Sequence, residues 1–175
     1  MQDDLTDAVA HVVGQGWADA ERVGIYGGSY GGYAVLAGAV FTPEVYRCGV
    51  DIVGPSNLIT LLASVPEYWK PMIAMMHQRV GNPETEAELL TAASPLTHVD
   101  RIRIPLLVVQ GANDPRVKQA EAEQIVAALT AKDLPHSYLL FDDEGHGLAK
   151  PENRERMYAA AEAFLATHLG GRVQD

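Results

Sequence analysis

Cysteine is nearly missing from this sequence: Cys48 stands alone among 175 residues, so no disulfide can close within the chain and no cysteine-based metal site can assemble. It opens the apolar stretch Cys48–Val53, where it reads as a small buried hydrophobe rather than a nucleophile. Positive charge is scarce too. The chain has 13 Lys and Arg against 23 Asp and Glu, and the formal net charge of −10 disfavours nucleic acid phosphates and anionic lipid as partners. No apolar run reaches the length of a membrane span; the longest are broken by Gly, Pro or charge. The opening residues Met1-Gln2-Asp3-Asp4 lack the basic and apolar segments of a secretion signal, so a cytoplasmic location is expected. Repeats and low-complexity tracts are absent.

What is present fits one domain over residues 1–175, with 47% apolar and 21% charged residues, as in a soluble globular fold. Four short apolar runs alternate with helical patterns. A helix is predicted from Asp3 to about Gly14, a strand at Arg22–Tyr26, a helix over Tyr30–Val40 and a strand at Cys48–Val53. Residues 54–99 hold five prolines and two candidate helices, Pro71–Val80 and Glu84–Ala93, and read as a lid-like excursion over one end of the sheet. Strands at Pro105–Gln110 and His136–Phe141 and helices at Lys118–Ala131 and Pro151–Leu169 complete the chain. Strands separated by helices run parallel and are covered on both faces, so the expected class is α/β with a doubly wound, mainly parallel sheet.

Gly27-Gly28-Ser29-Tyr30-Gly31 fits the pattern G-x-S-x-G at the junction of a predicted strand and a predicted helix. Glycines permit the tight turn that lifts a serine hydroxyl above the sheet, and the following helix points its N-terminus at developing negative charge. A phosphate-binding loop is excluded: no Lys-Ser/Thr pair follows the glycines and no G-x-G-x-x-G aligns here.

Serine is a poor nucleophile unless a base takes its proton and an acid orients that base. On this kind of fold the chain order is Ser, then Asp or Glu, then His, each beyond a strand end. Asp114 follows the strand ending at Gln110, and His146 follows the one ending at Phe141. His11, His77 and His98 precede the acid, His136 starts a strand and His168 lies in the last helix. Asp133 is a weaker candidate acid because it ends a helix. Asp142, Asp143 and Glu144 lie near His146, but consecutive side chains at a strand end point opposite ways, so the group reads as a solvated acidic loop rather than a metal site. No metal or organic cofactor is called for.

Gly-Gly-Ser-Tyr-Gly-Gly-Tyr at 27–33, Gly-Pro-Ser-Asn-Leu at 54–58, Ser-Pro-Leu at 94–96, Gly-Ala-Asn-Asp-Pro-Arg-Val at 111–117 and Asp-Glu-Gly-His-Gly at 143–147 together resemble the prolyl oligopeptidase family, serine peptidase family S9. The likeness is greatest to its acylaminoacyl-peptidase and dipeptidyl-peptidase branch. It implies the C-terminal part of an α/β-hydrolase fold, hydrolysis of short peptides or acylated amino-terminal residues through an acyl-enzyme on Ser29, and the backbone N–H of Tyr30 as an oxyanion donor. It also implies that Arg116 binds a substrate carbonyl, that Val117 lines the pocket and that Tyr68 and Trp69 wall it. A surface role for Arg116 and a packing role for the two aromatics fit the residues equally well.

The sequence departs from the family pattern in two ways. It carries no β-propeller, and it opens at the helix before the nucleophile strand, so an N-terminally truncated catalytic domain is expected, without the loop that supplies a second oxyanion donor. A carboxylesterase for small esters and a non-catalytic fragment are the alternatives. The strand Arg22–Tyr26 would then be an unpaired edge, expected to pair with another copy or with a missing N-terminal segment.

Overall fold

Four parallel strands form the centre of the fold, and the apolar runs of the sequence supply them. The structure, a computed structural model, describes residues 2–173. The strands are β1 (Gly24–Gly28), β2 (Cys48–Ile52), β3 (Leu106–Gly111) and β4 (His136–Phe141), hydrogen-bonded in the order β1-β2-β3-β4. Helix α1 (Gln2–Gly14) precedes β1, α2 (Tyr30–Phe41) joins β1 to β2, α6 (Gln119–Ala131) joins β3 to β4 and α7 (Pro151–Leu169) closes the chain. The order steps one way through the sheet, so right-handed crossovers put α2 and α6 on the same face. Helix α7 covers the other, and both faces are layered with helix as the α/β reading requires.

Alternation along β3 shows how the two layers are separated. Leu106 and Val108 point to Val35, Leu36 and Val40 of α2 and to Ile125 and Leu129 of α6. Leu107 and Val109, with Val50 and Phe141, meet Met157 and Ala161 of α7. All six residues of β3 are buried, as befits an inner strand of such a sheet. Each fully buried aliphatic side chain of this core contributes about 1.5–3 kcal/mol of transfer free energy. Cys48 is buried among them, and that burial pushes its thiol up to about 11, which makes it inert. Among the described residues no helix is long and apolar enough to cross a membrane.

Two parts of the sequence reading need correction. Strand β1 begins and ends two residues later than predicted, because Ala20–Arg22 forms a 3-10 turn capped by Asp19. Gly27 and Gly28 are therefore strand residues, paired with Asp51 and Ile52, and the whole reversal falls on Ser29. The excursion is also richer than two helices. It contains α3 (Leu58–Ala63), a 3-10 turn at Glu67–Met72 that includes Pro71, α4 (Ile73–Arg79), α5 (Ala87–Ala93) and a second 3-10 segment, Pro95–Arg101. Six apolar-rich residues are too few for a helical period to show, and the signal for α3 is its N-cap, Asn57, whose Oδ1 accepts from Ile59 N at 3.0 Å.

Candidate active site

Parallel strands bring their C-terminal ends to one edge of the sheet, and Ser29, Asp114 and His146 follow β1, β3 and β4 there. Ser29 has φ 58° and ψ −117°, in a region a non-glycine residue enters at a cost of about 1–3 kcal/mol. Its surroundings hold it in place. Ser29 N donates to Ile52 O at 2.8 Å, and Ser29 O accepts from Tyr33 N at 3.0 Å. The turn is so tight that a Cβ on Gly27 would lie 2.3 Å from Gly31 O, so only glycine fits. Helix α2 starts at the next residue, placing the positive end of its dipole beside the serine.

His146 Nε2 lies 2.8 Å from Ser29 Oγ, and His146 Nδ1 lies 2.7 Å from Asp114 Oδ2. The Asp114 side chain is fully buried and that of His146 is 15% exposed. Asp114 Oδ1 is occupied as well, accepting from Arg116 N at 2.8 Å and Val117 N at 3.0 Å. A carboxylate held this way fixes a proton on Nδ1 and leaves the Nε2 lone pair facing the serine hydroxyl.

The acid and histidine loops are laced to each other. Asn113 N donates to Glu144 O at 2.9 Å, and Asn113 Nδ2 donates to Asp142 O at 2.7 Å. They approach so closely that a Cβ on Gly111 would lie 2.2 Å from Gly145 O. Gln110, buried at the end of β3, donates through Nε2 to Val117 O at 3.1 Å and braces the acid turn from beneath.

The acidic loop is not uniformly solvated, contrary to the sequence reading. Glu144 is turned inward and only 2% exposed. It accepts from Asn153 Nδ2, Ala149 N and Lys150 N, each at 2.9 Å. The Asn153 hydrogen bond, with the two backbone amides behind it, holds its carboxyl below the usual glutamate range. Asp143 binds Lys150 Nζ and Asn153 Nδ2, and its carboxyl too is held low, chiefly by the lysine. The two carboxylates clasp the loop that carries His146 onto the start of α7, a role the sequence signalled only through an acid preceding a helix N-terminus.

The remaining expected residues are spread around this centre. Tyr30 opens α2, and with Tyr33, Pro55, Leu58, Leu61, Arg79, Val80 and Ala93 it lines a cavity of about 160 Å³. Tyr68, Trp69 and Val117 do not line that cavity. Trp69 instead lies under the Arg116 guanidinium, 5.8 Å from ring centroid to Cζ, and meets Tyr68 edge-on at 6.1 Å. Val117 is buried below the acid turn, 4% exposed. A larger groove of about 930 Å³ runs along α7 beside Tyr26 and touches none of the three converging residues. His136 binds Leu134 O at the opposite end of the sheet, and Asp133 sits there too, in the turn after α6.

A serine hydroxyl, an imidazole and a buried carboxylate in a single hydrogen-bonded row form an arrangement suited to acyl transfer. Known proteins share this chain's sequence and fold. The chain is 56% identical over 176 residues to dipeptidyl aminopeptidase BIII of Pseudoxanthomonas mexicana, a match covering 99% of this chain and 26% of that protein. It is 47% identical to dipeptidyl peptidase family member 6 of Caenorhabditis elegans, covering 99% of this chain and 24% of the relative. Among solved structures, a puromycin-hydrolyzing peptidase of Mycobacterium tuberculosis superposes with a TM-score of 0.92 at 30% identity, covering 99% of this chain and 26% of that one. The chain thus spans about a quarter of the length of the relatives it matches. The sequence model of the prolyl oligopeptidase family matches residues 1–172, and the chain belongs to that family.

Proposed function

We propose that this chain carries the reacting groups of a serine peptidase that cleaves short peptides or acylated amino-terminal residues. The observation that carries the reading is the continuous row Ser29 Oγ, His146 and Asp114, with contacts of 2.8 and 2.7 Å. His146 Nε2 takes the hydroxyl proton as Oγ bonds to the substrate carbonyl carbon. The C–N bond then breaks and the same proton passes to the leaving amine, giving an acyl-enzyme that water hydrolyses by the reverse sequence of proton transfers. Asp114 keeps the imidazole oriented and stabilises its charged form. The amide of Tyr30, at the first position of α2, is one oxyanion donor; losing such a donor costs about 10²–10³ in turnover. In this reading Arg116, which rests on Trp69, binds a substrate carbonyl, and the cavity beside Tyr30 takes the side chain next to the cut. The names of the relatives, dipeptidyl aminopeptidase and acylamino-acid-releasing enzyme among them, support this substrate class.

Treatment with a fluorophosphonate followed by mass spectrometry tests the reading. An adduct on Ser29 that is absent from Ser29→Ala is expected, together with release of an arylamine from an aminoacyl-arylamide. Folded protein without an adduct overturns it. Labelling with turnover of p-nitrophenyl esters but no arylamide cleavage marks a carboxylesterase instead.

A further inference from the structure

The excursion between β2 and β3 supplies most of the wall of the cavity beside Tyr30, through Pro55, Leu58, Leu61, Arg79, Val80 and Ala93. Its position relative to Ser29 depends on what ties its root to the sheet. One side chain does most of this. Glu121, in the first turn of α6, is 2% exposed, and its Oε2 accepts from Ser56 N at 3.1 Å, Asn57 N at 3.0 Å and Gln124 Nε2 at 2.8 Å. Its Oε1 accepts from the Thr60 hydroxyl, and its backbone carbonyl accepts from Ser56 Oγ at 2.6 Å. A buried carboxylate reaching two consecutive backbone amides 65 and 64 residues away is a clamp, not a solvated surface charge.

What it clamps is the point where the excursion leaves the sheet. Val53, just before, has φ 49°, a backbone a β-branched residue adopts only when its surroundings force it. Asn57 caps α3, and the returning segment of the excursion joins at the same place: Leu58 N donates to Ser94 Oγ at 2.9 Å and Leu96 N to Ser56 O at 3.0 Å. On the other side of Glu121, the segment starting at Asp114 carries the acid that orients His146. A single stretch, 114–121, therefore positions both the reacting groups and the pocket wall.

We infer that Glu121 is a positioning residue that sets the distance between the pocket wall at Pro55–Leu61 and Ser29, and so determines selectivity for the side chain next to the scissile bond. The inference rests on the reading of Ser29 as the nucleophile. Without the clamp, Ser56 and Asn57 lose the acceptor for their amides and the wall shifts, while the Ser29–His146–Asp114 row keeps its own ties. The consequence is selective: substrates that fill the cavity suffer, and reagents that need only an activated serine do not.

The test uses the intact protein with Glu121→Ala and Glu121→Gln. Two arylamides are compared, one with a bulky apolar side chain next to the cut and one with glycine there, alongside the rate of fluorophosphonate labelling at Ser29. In Glu121→Ala, kcat/KM for the bulky substrate is expected to fall roughly tenfold more than for the glycine substrate, largely through KM, a loss of the size pocket contacts supply. Labelling stays within about threefold of wild type, as expected when the reacting groups are undisturbed. Glu121→Gln is expected to restore selectivity, because its amide oxygen still accepts from Ser56 and Asn57 while its NH₂ donates to Thr60 Oγ1. If Glu121→Ala does not fold, Ser56→Ala, which removes the hydroxyl's bonds to Glu121 and Gln124 but keeps the Ser56 amide tie, gives the same selective loss in smaller measure. A parallel fall in both substrates and in labelling, or no change in selectivity in any variant, overturns the inference. Absence of labelling in the wild type overturns the nucleophile reading and this inference with it, an outcome distinct from either.

Discussion

Strands β2 and β3 are neighbours, yet the aspartates at their exits are held very differently. At the β3 exit, Asp114 has its oxygens filled by His146 and by the amides of Arg116 and Val117. Within β2, Asp51 is equally buried, at 1% exposure, but only Gly54 N donates to it, at 3.0 Å, and its Oδ2 has no hydrogen-bond partner among the described residues. Burial with so little compensation pushes the Asp51 carboxyl up to about 8. Burial alone does not decide whether a carboxyl serves as a charge. The number of donors arranged around it does.

The largest expected effect comes from making the same substitution at both exits. Asp114→Asn removes the acceptor that fixes the His146 tautomer, and turnover of an arylamide should fall by about 10⁴-fold. Asp51→Asn replaces a protonated acid with a near-isostere and should leave turnover within about threefold, since it touches no reacting group. Equal losses at the two sites would erase the contrast.

Next in size is a pH-dependent stability difference. In the unfolded chain Asp51 ionises near its ordinary value, whereas the folded protein keeps the proton up to about 8. The folded state therefore binds the extra proton between those limits. The stability this contributes is complete below the unfolded value and is lost as pH rises through about 8, at up to about 1.4 kcal/mol per pH unit. Urea unfolding should show that Asp51→Asn gains on the wild type at pH 8 relative to pH 5. A gain independent of pH would mean Asp51 is already ionised in the folded protein.

The smallest effect lies at the third exit, after β4. Glu144 resembles Asp114 in being fully bonded, and its lowered carboxyl contributes stability that is present above the ordinary glutamate range and lost as pH falls below that range through the lowered folded value. Glu144→Gln should speed hydrogen exchange at the amides of Ala149 and Lys150, and the wild type should approach the variant on acidification. Unchanged exchange at both amides would remove Glu144 from the comparison.

These contrasts depend on contacts that local sequence pattern does not encode. The converging trio was legible because each member follows a short apolar run that reads as a strand, in the chain order Ser, Asp, His, and because Gly27 and Gly31 bracket Ser29. Helix α7 was legible from Pro151 to Leu169 through its opening proline. Glu121 was not, since its partners Ser56 and Asn57 are far off in sequence and nothing local distinguishes it from Glu123. Asp51 was hidden inside what read as a plain strand, and Glu144 inside a run of acids. Helix α3 was missed because residues 58–63 are too few to show a period. Local pattern reports which residues face the core; it does not report which polar groups meet across it.

The bond from Leu96 to Ser56 brings the departure and return of the excursion to within one hydrogen bond of each other. Residues 57–95 thus hang from the sheet as a cassette plugged into a narrow port. Because closing a loop whose ends already meet depends only weakly on its length, about 0.6 kcal/mol per doubling, the sheet tolerates cassettes of different length so long as the ties at Asn57, Thr60 and Ala93 are kept. Length can change away from those ties while the port, and the Ser29–His146–Asp114 row beside it, stay as they are.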